Sequence, residues 1–311
     1  MGRNNGGVVR ERRIGAMIVG AQKSGTTSLL RHLAQHPSLR GHTTIECAFF
    51  ADEEEYRAGW GRRGLGRYFP QTGDETLIAK NVSVSQESRY LERLAKHNPD
   101  CLVVLVLRDP VARAFSSYRM ERNAGWVHKP FDHILTALDD PTHAWRRLFL
   151  DAGDYAGTLD RISEHFPLSQ LVVFLLEDLH HDPAGVCRRI FEELGVDTGF
   201  VPDTTVVHNA HHVVRSRSYA ELLKRLRDQR NRFKRAAKAI LPTETFHGIG
   251  QALVKLNYGL VTEEEITAEA CAALGTYYHA SNTEVARRLG RDLSHWTGMS
   301  GSGARRTVTT S

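Results

Sequence analysis

The chain has 311 residues, enough to bury one large α/β core with appended helices. Lys and Arg number 41 against 36 Asp and Glu, a formal charge of +5 that favours anionic partners without choosing among nucleotide, nucleic acid and lipid headgroup. Four widely spaced cysteines without a C-x-x-C pair argue against a disulfide framework, and no apolar run approaches the roughly 18 residues a membrane span needs. Residues 1–13 are polar and basic and read as a flexible tail rather than a secretory signal. The expectation is a cytoplasmic protein with reduced thiols.

The apolar run from Ile14 to Val19 enters Gly20 and predicts a strand. A polar loop, Ala21 to Thr26, follows. Leu29, Leu30 and Leu33 then recur at helical spacing. Strand, tight loop and helix aim backbone N–H groups and a helix N-terminus at one point, which suits a phosphate or sulfate group. The ATP/GTP form of such a loop reads G-x-x-x-x-G-K-[ST]. Gly20 and Gly25 keep its glycine spacing, but Thr26 stands where the lysine belongs, and the lysine is Lys23 inside the loop.

The pattern G-x-x-K-S-G-T-T-S, Gly20 to Ser28, resembles the 5′-phosphosulfate loop of sulfotransferases that use 3′-phosphoadenylyl sulfate (PAPS). The resemblance implies that Lys23, Ser24, Gly25, Thr26 and Thr27 hold the 5′-phosphosulfate and that Lys23 steadies the leaving oxygen. The bland alternative is a glycine-rich turn that binds nothing.

His36-Pro37 ends the first helix, since proline cannot continue it. Ile45-Glu46-Cys47-Ala48-Phe49-Phe50 comes next. In the branch of the family that modifies heparan sulfate, a Glu separated by two residues from a Phe-Phe pair is the base. Glu46 holds that position. Such a base removes the proton of a weakly nucleophilic hydroxyl; the alternative is a surface carboxylate beside an apolar anchor. Residues 52–69 read as an irregular segment with a short helix, whose Tyr56, Trp60, Tyr68 and Phe69 either stack on a planar acceptor or pack the loop down. Leu77 to Ser83 predicts a second strand. It resembles the family's E-K-x-P-x-Y strand at Lys80, while Ala79 and Val82-Ser83-Val84 depart from it. The resemblance implies that Lys80 neutralises charge on the bridging oxygen; the alternative is a strand-end lysine in water.

A helix from Ser85 to His97 precedes the continuous apolar run Cys101 to Leu107, the mark of a strand buried on both faces of a parallel sheet. Arg108-Asp109-Pro110 follows. Asp109 can cap the next helix and Pro110 suits its first turn. Arg108 thus leaves the C-terminal end of a strand, where open α/β sheets bind ligands. Ser116 lies two turns further on. Arg108 to Tyr118 meets every fixed position of R-D-P-x-x-R-x-x-S-x-Y, the family's 3′-phosphate motif, which implies that Arg108 and Ser116 grip that phosphate. The alternative is an Arg–Asp pair decorating a helix start.

Residues 131–150 carry a helical pattern broken at Pro141, and Asp154 to Phe166 another helix. Leu171 to Leu176 reads as a third buried strand, and Ala184 to Leu194 as a helix ended by Gly195. His180, His181, His208, His211 and His212 lack the supporting ligands of a zinc site, so no metal is expected. Residues 215–238 hold ten Lys or Arg on an amphipathic pattern. They form a solvated face, or a contact for an anionic acceptor, a membrane surface or nucleic acid. Arg217, at their front edge, sits where the resemblance implies a basic loop over the donor. Thr262 and Glu265 form a capping box for the last helices. The ending from Asn282 to Trp296 also resembles the family, with the tryptophan docking that end. Gly298 to Ser311 is small and polar, hence disordered.

The resemblance implies a three-layer, P-loop-like α/β fold: a short central parallel sheet flanked by helices, plus C-terminal helices. The expected domain spans 14–297 between two tails. The expected reaction moves a sulfuryl group from PAPS to a hydroxyl of a sugar, glycolipid or small natural product, releasing 3′-phosphoadenosine 5′-phosphate (PAP). An amine acceptor is the lesser option. No metal and no nucleic-acid partner are expected, and oligomeric state is open. Two other readings stand beside it. One is a P-loop kinase, weak at Thr26. The other is a non-catalytic binder of anionic surfaces or nucleic acid through residues 215–238.

Overall fold

A computed structural model describes residues 13–60, 65–70, 73–205, 213–214, 258–259 and 265–296. Residues 1–12 and 297–311, the basic segment with Arg217, the histidines at 208, 211 and 212, and Thr262 lie outside that set.

Two runs are apolar on both sides of the pleat, and such runs belong in the middle of a sheet. They are β1 (Ile14–Gly20) and β4 (Leu102–Leu107), and they pair in parallel. The chain leaves β1 through α1 (Thr26–Leu33) to the edge strand β2 (Leu39–Gly41). Two short helices, α2 (Glu53–Ala58) and α3 (Leu65–Tyr68), lead to β3 (Thr76–Lys80), which fills the place between β2 and β1. The chain then crosses through α4 (Ser88–His97) to β4 on the far side of β1. After α5 (Pro110–Asn123) and α6 (Tyr155–Ser163), the strand β5 (Leu171–Leu175) closes the other edge. The order is β2-β3-β1-β4-β5, and every neighbour is parallel. Because the winding reverses at β1, the loops after β1 and β4 part there and open a crevice at the C-terminal edge.

Alternation along the strands sets the layers. Met17, Val19, Val103, Leu105 and Leu107 meet α4 and α6 on one face. Ala16, Ile18, Val104 and Val106 meet α1 and α8 (Pro183–Leu194) on the other. This is the expected three-layer fold. A third apolar cluster joins α5 to α9 (Ala268–Leu289) through Tyr118, Phe131, Phe149, Leu274 and Tyr278. A separate antiparallel pair joins β6 (Val213–Val214) to β7 (Tyr258–Gly259).

Several elements differ from expectation. Leu171–Phe174 are only half-buried, because β5 is an edge strand; an apolar run does not reveal how many neighbours it has. Leu176, read as the last residue of that strand, instead opens α7 (Leu176–His181), capped by Asp178, whose carboxylate accepts from the Leu175 N–H at 2.9 Å. Segment 131–150 is a 3-10 turn (Phe131–Ala137) and a π turn (Arg146–Leu150) about Pro141, with Phe131, Trp145 and Phe149 turned into the third cluster. The expected helix at Ser85 begins as a 3-10 turn, with α4 starting at Ser88. The long C-terminal helix is capped by Thr267, whose hydroxyl accepts from the Ala270 N–H at 3.2 Å; the expected capping box at Thr262 falls outside the described residues.

Trp296 docks as expected. It is 3 % exposed, its ring lies 6.0 Å from that of Tyr155, and its indole N–H donates to Glu177 at 3.3 Å. Trp296→Ala is expected to cost about 3–5 kcal/mol of stability, read as a lower midpoint in urea denaturation.

Candidate active site

The loop after β1 is pinned to the neighbouring strand by Ala21, whose N–H donates to the Val106 carbonyl at 2.7 Å. Its turn needs left-handed backbone at two places: Gly25 has φ +78° and Lys23 has φ +70°. Lysine rarely adopts that conformation, and such residues gather at functional loops. Gly25 has a second constraint, since a Cβ there would meet Leu179 Cδ2 at 2.8 Å. The first turn of α1 has no side-chain cap and no acidic residue, so its N–H groups and dipole are available to an anion. The Ser24 hydroxyl is fully buried in this loop and has no hydrogen-bond partner. Thr26 and Thr27 open the helix, the former buried and the latter half-buried.

Arg108 reaches into the same place from the end of β4. Its Nη1 donates to the Lys23 carbonyl at 3.0 Å, and its own carbonyl accepts from the Tyr155 hydroxyl at 2.8 Å. Asp109 caps α5, accepting from Val111 N at 2.8 Å and Ala112 N at 3.3 Å. The two motifs read from the sequence thus converge. Burial, and then the Arg108 charge, hold the Lys23 ammonium below its ordinary range, with Glu121 pulling the other way. Burial also lowers Arg108. Neither cation has an ion pair among the described residues; Lys23 Nζ lies 3.8 Å from the Met120 sulfur.

From α5, the hydroxyl that touches the loop is not Ser116 but Ser117, which donates to Gln22 Oε1 at 3.0 Å. Ser116 is half-buried, and among the described residues its side chain has no hydrogen-bond partner. One residue is about 100° around a helix, so the motif marks the right turn of α5 while a different serine holds the loop. Gln22 carries no motif of its own as a support of the loop, while Tyr155 at the start of α6 holds the strand end.

Glu46 and Lys80 form one unit. Lys80, at the end of β3, is 2 % exposed and its ammonium is paired with Glu46 Oε1. The Val82 N–H donates to Glu46 Oε2 at 3.4 Å. Cys47 N donates to the Lys80 carbonyl at 2.8 Å, and Asn81 N to the Ile18 carbonyl at 3.0 Å, which fastens the unit beside β1. The reading of Lys80 as a strand-end lysine in water is therefore excluded. Burial raises the Glu46 carboxyl above its ordinary range, and the Lys80 ammonium opposes this without cancelling it. The aromatic segment is packing rather than a stacking platform: Trp60, Tyr68 and Phe69 are buried with Phe49 and Phe50, and the Phe49 and Trp60 rings meet at 4.9 Å. No cluster of three metal-ligating side chains occurs among the described residues.

Two cations and an uncapped helix start thus share one sheet edge with a carboxylate–lysine pair in an α/β fold. The chain belongs to the sulfotransferase domain family, whose model matches residues 14–238. It is 33% identical over 187 residues to heparan sulfate glucosamine 3-O-sulfotransferase 6 of Mus musculus, covering 58% of this chain and 52% of that protein. It is 28% identical over 196 residues to bifunctional heparan sulfate N-deacetylase/N-sulfotransferase 3 of Homo sapiens, covering 58% and 22%. The chain thus spans about half the length of the 3-O-sulfotransferases it matches. A sulfotransferase from Alicyclobacillus acidocaldarius shares the fold with a TM-score of 0.64 at 22% identity, over 91% of this chain and 98% of that one.

Carboxyl NMR is expected to find Glu46 titrating above an ordinary glutamate. Lys80→Met should push it higher still, because the ammonium is its main counterweight.

Proposed function

We propose that the protein transfers a sulfuryl group from PAPS to an acceptor hydroxyl, releasing PAP. The observation that carries this reading is the hydrogen bond from Arg108 to the Lys23 carbonyl, which puts the two anion motifs in one crevice. The residues fit a donor with phosphates at both ends. The buried, unpartnered Ser24 hydroxyl, the uncapped start of α1 and Lys23 would hold the 5′ end with Gly25, Thr26 and Thr27. Arg108 and Ser116 would hold the 3′-phosphate, with Arg217 assigned over the donor. Bound PAPS supplies the sulfuryl group.

Glu46 takes the proton of the acceptor hydroxyl as that oxygen bonds to sulfur. Its raised proton affinity makes it a stronger base than a solvated glutamate. Lys23 donates to the phosphate oxygen that departs, and Lys80 opposes the negative charge that grows between the groups. Positioning and charge suffice, as in phosphoryl transfer. Ile45, 82 % exposed and next to Glu46, would lie against the carbon skeleton of the acceptor, a sugar, glycolipid or small natural product. All four cysteines are buried thiols, which fits a reducing compartment such as the cytoplasm.

Lys23→Ala and Arg108→Ala are expected to weaken PAP binding about 10- to 100-fold in calorimetry, the loss of a charged hydrogen bond. Glu46→Gln should keep PAP affinity and lower kcat by about 10²–10⁴-fold. Full activity in Glu46→Gln removes the base, and tighter binding of ATP–Mg²⁺ than of PAP points to a kinase. Mass spectrometry of acceptors incubated with PAPS reads the added sulfate.

A further inference from the structure

The left-handed backbone of Lys23, at φ +70°, persists only where its neighbours over-determine it. Within the loop, the Ser24 N–H donates to the Ala21 carbonyl at 3.3 Å, and the Ala21 N–H to the Val106 carbonyl at 2.7 Å. Two side chains from outside the loop add a tether on each side of Lys23. Arg108 Nη1 donates to the Lys23 carbonyl at 3.0 Å. The Ser117 hydroxyl meets the Gln22 carboxamide, also at 3.0 Å.

These two tethers differ in what else they must do. The Arg108 guanidinium is also the group assigned to the 3′-phosphate of the donor, so its hydrogens are shared with the ligand. Ser117 is 1 % exposed, so its hydroxyl stays with Gln22 when a ligand enters the crevice. Met120 lies one turn further along the same face of α5, 3.8 Å from Lys23 Nζ. A thioether is a weak acceptor, so it guides the ammonium without keeping it from a phosphate. One face of α5 thus touches the residue before Lys23 and the far end of the lysine itself.

We propose that Ser117 is a positioning residue for Lys23: through the Gln22 side chain it holds the loop in its left-handed turn, and so fixes where the Lys23 ammonium meets the donor. The inference rests on Lys23 binding the 5′-phosphosulfate. It gives the adjacent serines separate tasks. One residue is about 100° around a helix, so Ser116 faces the donor from the same turn whose next residue braces the loop. The brace works in either orientation of the Gln22 carboxamide, since a serine hydroxyl both donates and accepts.

Calorimetry with PAP on the full chain tests this. Ser117→Ala should weaken PAP binding about 3- to 10-fold, the scale of one neutral hydrogen bond. Gln22→Ala, alone or combined with Ser117→Ala, should match that loss, which covers a Ser117→Ala protein that fails to fold. In a Lys23→Ala background, Ser117→Ala should cost nothing further, because a residue that acts through Lys23 has no effect once the ammonium is gone. A merely structural hydroxyl would give the same loss with and without the ammonium. Unchanged PAP affinity in Ser117→Ala or Gln22→Ala overturns the proposal, as does a full additional loss in the Lys23→Ala background. So does a Gln22→Ala loss more than about 10-fold beyond that of Ser117→Ala, which would put Gln22 on the ligand itself. A wild-type protein that binds no PAP removes the donor reading altogether; wild-type PAP binding beside unaffected Ser117 and Gln22 variants removes only this inference.

Discussion

The hydrogen bond from the Arg108 guanidinium to the Lys23 carbonyl joins the two halves of the proposed donor site. It does so against electrostatics, since each partner carries a positive charge and both are partly dehydrated. Repulsion between two like charges held in one crevice is of the same order as the roughly 1.5–3 kcal/mol that a hydrogen bond from a charged donor contributes, so that bond alone does not hold them together. The sheet must therefore hold them. Parallel pairing of β1 with β4, the Ala21–Val106 bond and the Tyr155 hydroxyl on the Arg108 carbonyl fix the backbone on both sides. The repulsion then favours any ligand bringing two negative groups at the right spacing.

The neighbouring end of the same edge follows the opposite rule. Lys80 is buried, and its charge is answered by Glu46, which is 31 % exposed at its side chain. For Glu46 the loss of water outweighs the attraction of the lysine, so the carboxylate stays basic although paired. An unanswered pair of cations thus lies beside an answered one, the division of labour that the proposed reaction asks of the crevice.

The parts legible in the sequence are those where covalent order and chemistry coincide. Gly20, Lys23 and Gly25 are close in the chain, and their loop must close on itself. The run Leu102–Leu107 announces a central strand, and Asp109-Pro110 a helix start, so Arg108 could be placed at a strand end directly. Lys80 was legible as a residue but not in its burial, which depends on the Glu46 loop folding over it from 34 positions away. The contact of Ser117 with Gln22 depends on the rotation of α5, beside Tyr118 and Phe131 in a cluster that no local pattern describes. The edge position of β5 and the turns around Pro141 depend on neighbours contributed by distant segments.

Trp296 packs on Tyr155, and Tyr155 holds the carbonyl of Arg108. During translation, the crevice at β1 and β4 could assemble its strands long before residue 296 leaves the ribosome, but it would lack the ring that backs Tyr155. A nascent chain shorter than that lacks one support of Arg108, so under the proposed function affinity for the donor is among the last properties the growing polypeptide acquires.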